Sequence, residues 1–313
     1  MNTKILILCG TQRCGSTMIV SDLRMTGKMG NPEEYFIPWT SNVISDPLRN
    51  FENIVNSSRT ENGISSIKIM ADQLFHIDKN LRDAGAFELN DSDNKFIYPY
   101  ARRLLLGSVF VKINRLDVIA QSVSRLMAKS TGKNHLISAE STYVPGNKTY
   151  SNSGYNDEVT FDSTYLDEQV LSISKENSIW DFVISNWVGK PDLNLIYENC
   201  IDDRSYLGVM SSLLGFDVDS CEIPPREIKK IGNEKNSEFI KDYILSSSNP
   251  AGCMFTSSDS ISDFEVSCLR DVSLKLDSVG DRNCLPLIKI ASKLRPSGVF
   301  IKLKLDEFRS KYL

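Results

Sequence analysis

Short apolar runs alternate with stretches of helical periodicity along most of the chain. The first run, Lys4-Ile-Leu-Ile-Leu-Cys9, is continuous rather than alternating, as expected of a strand buried within a sheet. A helix is predicted from Ser16 to about Arg24, broken by Gly27 and Gly30. Residues 64–70 read as a second strand, residues 108–113 as a third and Asp192–Tyr197 as a fourth. After the third strand comes a helix with Val118, Ile119, Val123, Leu126 and Met127 on one face and Gln121, Ser124 and Ala128 on another. An amphipathic helix over about 166–188 repeats Ile179, Phe182, Val183 and Trp187, and a helix over 202–214 closes at Gly215. Strands alternating with helices predict an α/β fold around a parallel sheet.

Two stretches depart from this pattern. Residues 133–160 are polar and rich in Ser, Asn, Gly and Tyr, which predicts a long loop or lid. Near Ser246 the composition shifts, and Ser246–Gly252 has the turn chemistry of a linker. Beyond it lie about four short helical segments, the last over Val299–Phe308. The predicted organisation is therefore a domain over 1–246 and a helical C-terminal extension over 247–313.

Composition narrows the function classes. Of 313 residues, 41% are hydrophobic and 24% charged, as in a globular protein with an ample core. The formal net charge of −4 gives no bulk attraction for nucleic acid, so a polyanionic ligand must be held by local donors. No apolar stretch approaches the ~20 residues of a membrane span. The run Ile5–Cys9 is too short for a signal-peptide core, and no A-x-A-like cleavage site follows it. Seven scattered cysteines without a C-x-x-C read as reduced thiols, so a cytoplasmic location is expected.

The chemistry begins where the first strand ends. Gly10-Thr-Gln-Arg-Cys-Gly-Ser-Thr17 has the G-x-x-x-x-G spacing of a phosphate loop, with Ser16 in the usual place of the lysine and Arg13 as the cation inside the loop. Such a turn aims backbone N–H groups at one point, and the helix N-terminus adds partial positive charge. The alternative is an ordinary strand-to-helix turn. Without the lysine, ATP or GTP hydrolysis is disfavoured, and the strands at 64–70 and 108–113 end in Met70 and Ile113 rather than a magnesium-binding Asp.

Further blocks follow in order: Asp22-Leu-Arg-Met-Thr-Gly27, Gly30-Asn-Pro-Glu-Glu-Tyr-Phe36, Gly63–Met70 and Asn114-Arg-Leu-Asp-Val-Ile-Ala-Gln-Ser-Val-Ser124. Trp180, Tyr197-Glu198, Leu214-Gly215 and Pro224-Pro225 come after them. With these, residues 4–245 resemble the bacterial trehalose 2-sulfotransferase family. The resemblance implies a P-loop-like three-layer sandwich and transfer of a sulfuryl group from 3′-phosphoadenylyl sulfate (PAPS) to a hydroxyl of a carbohydrate or glycolipid. It also implies adenosine 3′,5′-bisphosphate as product, no metal requirement and a homodimer. Residue by residue, Arg13, Cys14, Gly15, Ser16 and Thr17 would hold the 5′-phosphosulfate, and Arg115 with Ser124 the 3′-phosphate. Glu34 would be the general base and Arg13 would stabilise the developing charge. An ATP-dependent kinase and a non-catalytic nucleotide-binding protein are the competing readings.

Read from the residues alone, several positions stay open. Arg115 is either a phosphate ligand or a surface partner of Asp117, and Glu33-Glu34 either carries the base or is a first-turn acidic pair. Lys68 either edges the site or snorkels from its strand. Lys229-Lys230 and Asn233 either close over the donor or form a solvated charge run. His76 and His135 read as structural or exposed. Two positions depart from the family pattern: Leu116 stands where a second arginine is usual, and Asn134 where a tryptophan is usual.

Overall fold

The computed structural model describes residues 4–138, 141–217, 224, 226–246, 263–278, 280–281 and 284–312. The chain divides into two compact units, Met1–Ser246 and Ser247–Leu313.

In the first unit the strands are β1 (Lys4–Gly10), β2 (Ile64–Met70), β3 (Val109–Asn114), β4 (His135–Ile137), β5 (Lys148–Thr149), β6 (Leu193–Ile196) and β7 (Ile228–Lys229). Its helices are α1 (Ser16–Met25), α2 (Ile37–Ser41), α3 (Pro47–Ser57), α4 (Gln73–Asp83), α5 (Pro99–Leu105), α6 (Val118–Thr131), α7 (Ser163–Val188), α8 (Tyr197–Cys200), α9 (Tyr206–Leu214) and α10 (Glu234–Ser246). The main sheet runs β2-β1-β3-β6, and every neighbouring pair in it is parallel. Because successive side chains of a strand face opposite ways, β1 feeds two cores. Leu6 and Leu8 pack with α1 and α9, whereas Ile7 and Cys9 pack with β2, α3, α4 and α7. The result is a three-layer α/β sandwich.

The order of the strands locates the site. From β1 the chain steps to β2 on one side, then crosses to β3 on the other, so the C-terminal end of β1 is a topological switch point where ligands of open α/β sheets bind. A second, three-stranded sheet of order β5-β4-β7 takes two of its strands, β4 and β5, from the stretch expected to be a long loop or lid over 133–160, and its third, β7, from residues 228–229. Its strands are too short for hydrophobic periodicity to register.

Other sequence expectations need adjustment. The helix expected over 202–214 starts only at Tyr206, as α9, because Asp203 accepts from the Ser205 backbone and hydroxyl in a turn just before it. Phe182, placed by spacing on the buried face of α7, is 58% exposed. The polar face of α6 is not solvated: Gln121, Ser122 and Arg125 are buried. Glu33 and Glu34 are no first-turn pair, because they precede α2 in irregular chain that runs beside β2, where Lys68 N donates to Glu33 O at 3.0 Å.

The described residues of the second unit hold three helices, α11 (Asp263–Ser278), α12 (Cys284–Leu294) and α13 (Val299–Tyr312). They share a core of Val266, Cys284, Ile288, Ala291, Ile301, Leu305 and Phe308. The predicted linker from 247 to 252 lies outside the described residues.

Candidate functional site

A cleft of about 790 Å³ opens at the C-terminal ends of the main strands. Each strand delivers something to it. β1 runs into the phosphate loop, β2 supplies Lys68 and Met70, β3 leads into Arg115, and β6 leads into Tyr197.

The loop turns tightly enough to demand its glycine. Gly15 sits at φ +91°, and a Cβ there would lie 2.1 Å from the Tyr197 ring. It also starts α1 without any side-chain cap. Among the described residues, the N–H groups of Gly15, Ser16 and Thr17 find no backbone acceptor, the first one available in the helix being used by Met18 N at 3.0 Å from Gly15 O. These orphaned donors at a helix N-terminus form an anion cradle. Cys14 supports the turn in another way. Its side chain is fully buried and its N–H donates to Thr11 O at 3.2 Å.

Two arginines face the cradle. Arg13 adopts φ +65°, and its Nε donates to Ser124 Oγ at 3.0 Å while Nη2 donates to Asn134 O at 2.6 Å. Arg115 Nη1 donates to Arg13 O at 3.2 Å and its guanidinium carbon lies 4.9 Å from the centre of the Tyr197 ring, yet its buried Nε has no hydrogen-bond partner. No ion pair joins either arginine to a carboxylate among the described residues. Asp117, the alternative partner of Arg115, instead caps α6 through Ala120 N at 2.8 Å. Burial first, and then the neighbouring charge of Arg115, bring the Arg13 pKa down to about 10. Two like charges held together over open amides, with an unsatisfied donor among them, suit an anionic ligand. The structure thus brings Arg13, Gly15, Ser16, Thr17, Arg115 and Ser124 to one place, and turns the Arg13 side chain toward Ser124.

Buried polar groups hold the loop from behind. Gln121 Nε2 donates to Thr11 Oγ1 at 2.8 Å and to Gln12 O at 2.7 Å. Arg125 Nε donates to Gln12 O at 3.2 Å, and its fork meets Glu176 at 2.9 and 2.7 Å. Trp180 Nε1 donates to Gly10 O at 2.9 Å. The sequence reading missed Gln121 and Arg125, although their i, i+4 spacing on α6 was a signal: one helix face carrying polar groups suited to loop carbonyls.

The opposite wall carries Glu34. Gly30, at φ +77°, lets this segment approach β2, since a Cβ there would meet Ser66 N at 2.6 Å. Glu34 Oε1 pairs with Lys68 Nζ at 2.8 Å, and Gln73 Nε2 lies 3.5 Å from Oε2. Lys68 therefore edges the site from inside its strand and does not snorkel. Glu33 points elsewhere, 3.5 Å from Arg24. Next to it Tyr143 is buried, and desolvation together with the Glu33 charge pushes its phenol well above the usual range.

His135 also lines this cleft, which the sequence reading did not anticipate. It enters through β4, where Leu136 and Ile137 pair with Lys229 and Ile228 of β7. Burial and the positive charges of Arg13 and Lys68 hold its pKa down to about 3, so the imidazole is neutral. Lys229, Lys230 and Asn233 line the same cleft. His76, by contrast, is not among the lining residues. Among the described residues no cluster of three or more His, Cys, Asp or Glu is arranged to hold a metal ion, and no helix is long and apolar enough to cross a membrane.

The family model for Stf0 sulphotransferases matches residues 5–245. This chain belongs to the Stf0 sulphotransferase family. The match ends just before the boundary between the two units, leaving the second unit outside it. Among curated proteins, the chain is similar to a trehalose 2-sulfotransferase of Mycobacterium tuberculosis (strain ATCC 35801 / TMC 107 / Erdman). The two are 28% identical over 156 residues, which cover 40% of this chain. The aligned part spans 57% of that relative's length.

Proposed function

We propose that this Stf0 family member is a sulfotransferase that moves a sulfuryl group from PAPS to a hydroxyl of a carbohydrate or glycolipid. The observation that carries the proposal is one cleft with two unlike walls. An anion cradle with two arginines that, among the described residues, pair with no carboxylate faces a carboxylate, Glu34, fixed by a lysine.

The donor has two anionic ends, and the cleft offers matching donors for both. The amides of Gly15, Ser16 and Thr17 would take the 5′-phosphosulfate, and Arg115 with Ser124 the 3′-phosphate. Arg13 stands between the two sets, with its Nε on Ser124, so its charge serves both. When bound, PAPS supplies the sulfuryl group and leaves as adenosine 3′,5′-bisphosphate. Glu34 takes the proton of the attacking hydroxyl, using carboxylate lone pairs that the Lys68 ion pair leaves open. Arg13 and the loop amides meet the charge that grows on the departing side, so no reorganisation is needed during the reaction. The transfer would be direct and in line. The carbohydrate acceptor is inferred from the named activity of the mycobacterial relative.

Calorimetry with adenosine 3′,5′-bisphosphate, ATP and GTP, each without and with Mg²⁺, tests the reading. Micromolar binding of the bisphosphate without the metal is expected. Binding of Mg·ATP alone would overturn the proposal in favour of a kinase.

A further inference from the structure

The second unit carries an apolar surface that its own packing leaves unused. α13 sends Ile301, Leu305 and Phe308 into the core of that unit. Its outward side nevertheless begins with Val299, Phe300 and Leu303, which are 70%, 51% and 64% exposed. Leu294, the last residue of α12 before the connecting turn, is exposed as well. A helix that is apolar on both sides over its first two turns has a second apolar environment to meet.

The surrounding charge identifies that environment. Between Cys284 and Tyr312 there are seven cationic side chains against two acidic ones, a net charge of +5 within a chain whose total is −4. Both acids are already engaged, Asp306 by Arg309 at 3.6 Å and Glu307 by Lys304 at 2.7 Å. Lys289, Lys293 and Lys302 are exposed and, among the described residues, have no ion-pair partner. Unpaired lysines flanking exposed aliphatic and aromatic residues are the makeup of a helix that rests in the interface of an anionic bilayer. The apolar residues enter the headgroup boundary while the lysine stems reach out to lipid phosphates. Lys311 is paired with Asp277 of α11 at 2.8 Å, but a second copy of the same surface would still set Lys289, Lys293 and Lys302 against their own counterparts, which opposes self-association.

We propose that the α12–α13 hairpin is a reversible foot for anionic phospholipid bilayers. Val299, Phe300 and Leu303 enter the interface, and Lys289, Lys293 and Lys302 contact phosphate headgroups.

The test is cosedimentation of the full chain with phosphatidylcholine vesicles containing about a third phosphatidylglycerol, set beside pure phosphatidylcholine. The protein is expected to pellet with the anionic vesicles, at least about tenfold more tightly than with neutral ones, and to be released by salt. Each lysine contributes about fivefold, so K293E/K302E should weaken binding more than tenfold, and F300E/L303E should abolish it. All four side chains are exposed, so circular dichroism and thermal unfolding should match the wild type, which separates lost binding from lost folding. Absence of pelleting, equal pelleting with neutral vesicles, or unchanged pelleting of F300E/L303E would overturn the proposal. A concentration-dependent dimer that F300E/L303E dissociates would overturn it too, assigning the surface to a second copy.

Discussion

The two walls of the cleft are built by different means. The donor wall is mostly backbone: consecutive amides at the start of α1, aimed by a glycine turn and pinned from behind by Gln121, Arg125 and Trp180. The opposite wall is side chain throughout, and its members come from distant parts of the chain. Glu34 precedes α2, Lys68 lies in β2, Tyr143 follows β4 and His135 begins β4. A backbone cradle recognises charge and little else, so it suits a donor shared by many enzymes. A wall of separate side chains can be changed one residue at a time, which is where acceptor choice can vary without disturbing the donor.

If the division is real, the largest effect comes from the donor wall. Gly15→Ala puts a Cβ into the Tyr197 ring at a positive φ, so the loop must open or Tyr197 must leave. Loss of adenosine 3′,5′-bisphosphate affinity by at least about a hundredfold is expected in calorimetry, the scale of losing several charge-assisted hydrogen bonds. Affinity within twofold of wild type would refute the backbone cradle.

Glu34→Gln comes next and should act on the other wall alone. The amide keeps the shape and removes the proposed base, so kcat should fall about 10²-fold, the lower end of what a general base contributes. Bisphosphate binding should stay within about twofold, because the carboxylate is not part of the cradle. A matching loss of donor affinity would merge the two walls into one. Lys68→Met leaves Glu34 without its 2.8 Å partner, and a smaller fall in kcat of about tenfold is expected, again with donor binding unchanged.

The same division governs what could be read from the sequence. The β1–loop–α1 unit was legible because its parts are consecutive: a buried run, a glycine spacing and a helix start lie within about twenty residues. The main sheet followed from four apolar runs. The pairing of Lys68 with Glu34 was not legible, since it joins segments 34 residues apart that meet only because Gly30 lets one chain approach another. His135 was read as structural or exposed, and its place in the cleft was not legible because β4 is three residues long and finds its partner near residue 228. The inward turn of the polar face of α6 was not legible for a different reason. Polar residues at helical spacing ordinarily face water, whereas Gln121 and Arg125 turn inward because the loop's carbonyls and Glu176 must be satisfied. Phe182 is the converse case. A 26-residue helix passes several environments, and one apolar spacing does not define a single buried stripe along it.

The smallest expected effect concerns His135 and bears on whether the two walls sense one another. Unfolded, its imidazole would titrate near pH 6.5, as histidines ordinarily do. Folded, it is held to about 3 by burial and by Arg13 and Lys68, one cation from each wall. Between those values the unfolded chain binds the extra proton, so stability rises with pH across the window and is lost as pH falls from about 6.5 toward 3. His135→Gln removes this contribution. Thermal unfolding at pH 7 and at pH 5 should therefore show the wild type losing up to about 2 kcal/mol more than the variant over that interval. Bisphosphate in the cleft would offset the Arg13 charge, ease protonation of the imidazole and narrow the difference. Identical pH dependence of variant and wild type would mean that His135 is solvated and feels neither cation. A difference that bisphosphate leaves unchanged would mean that only burial matters, and that the donor wall does not reach across the cleft electrostatically.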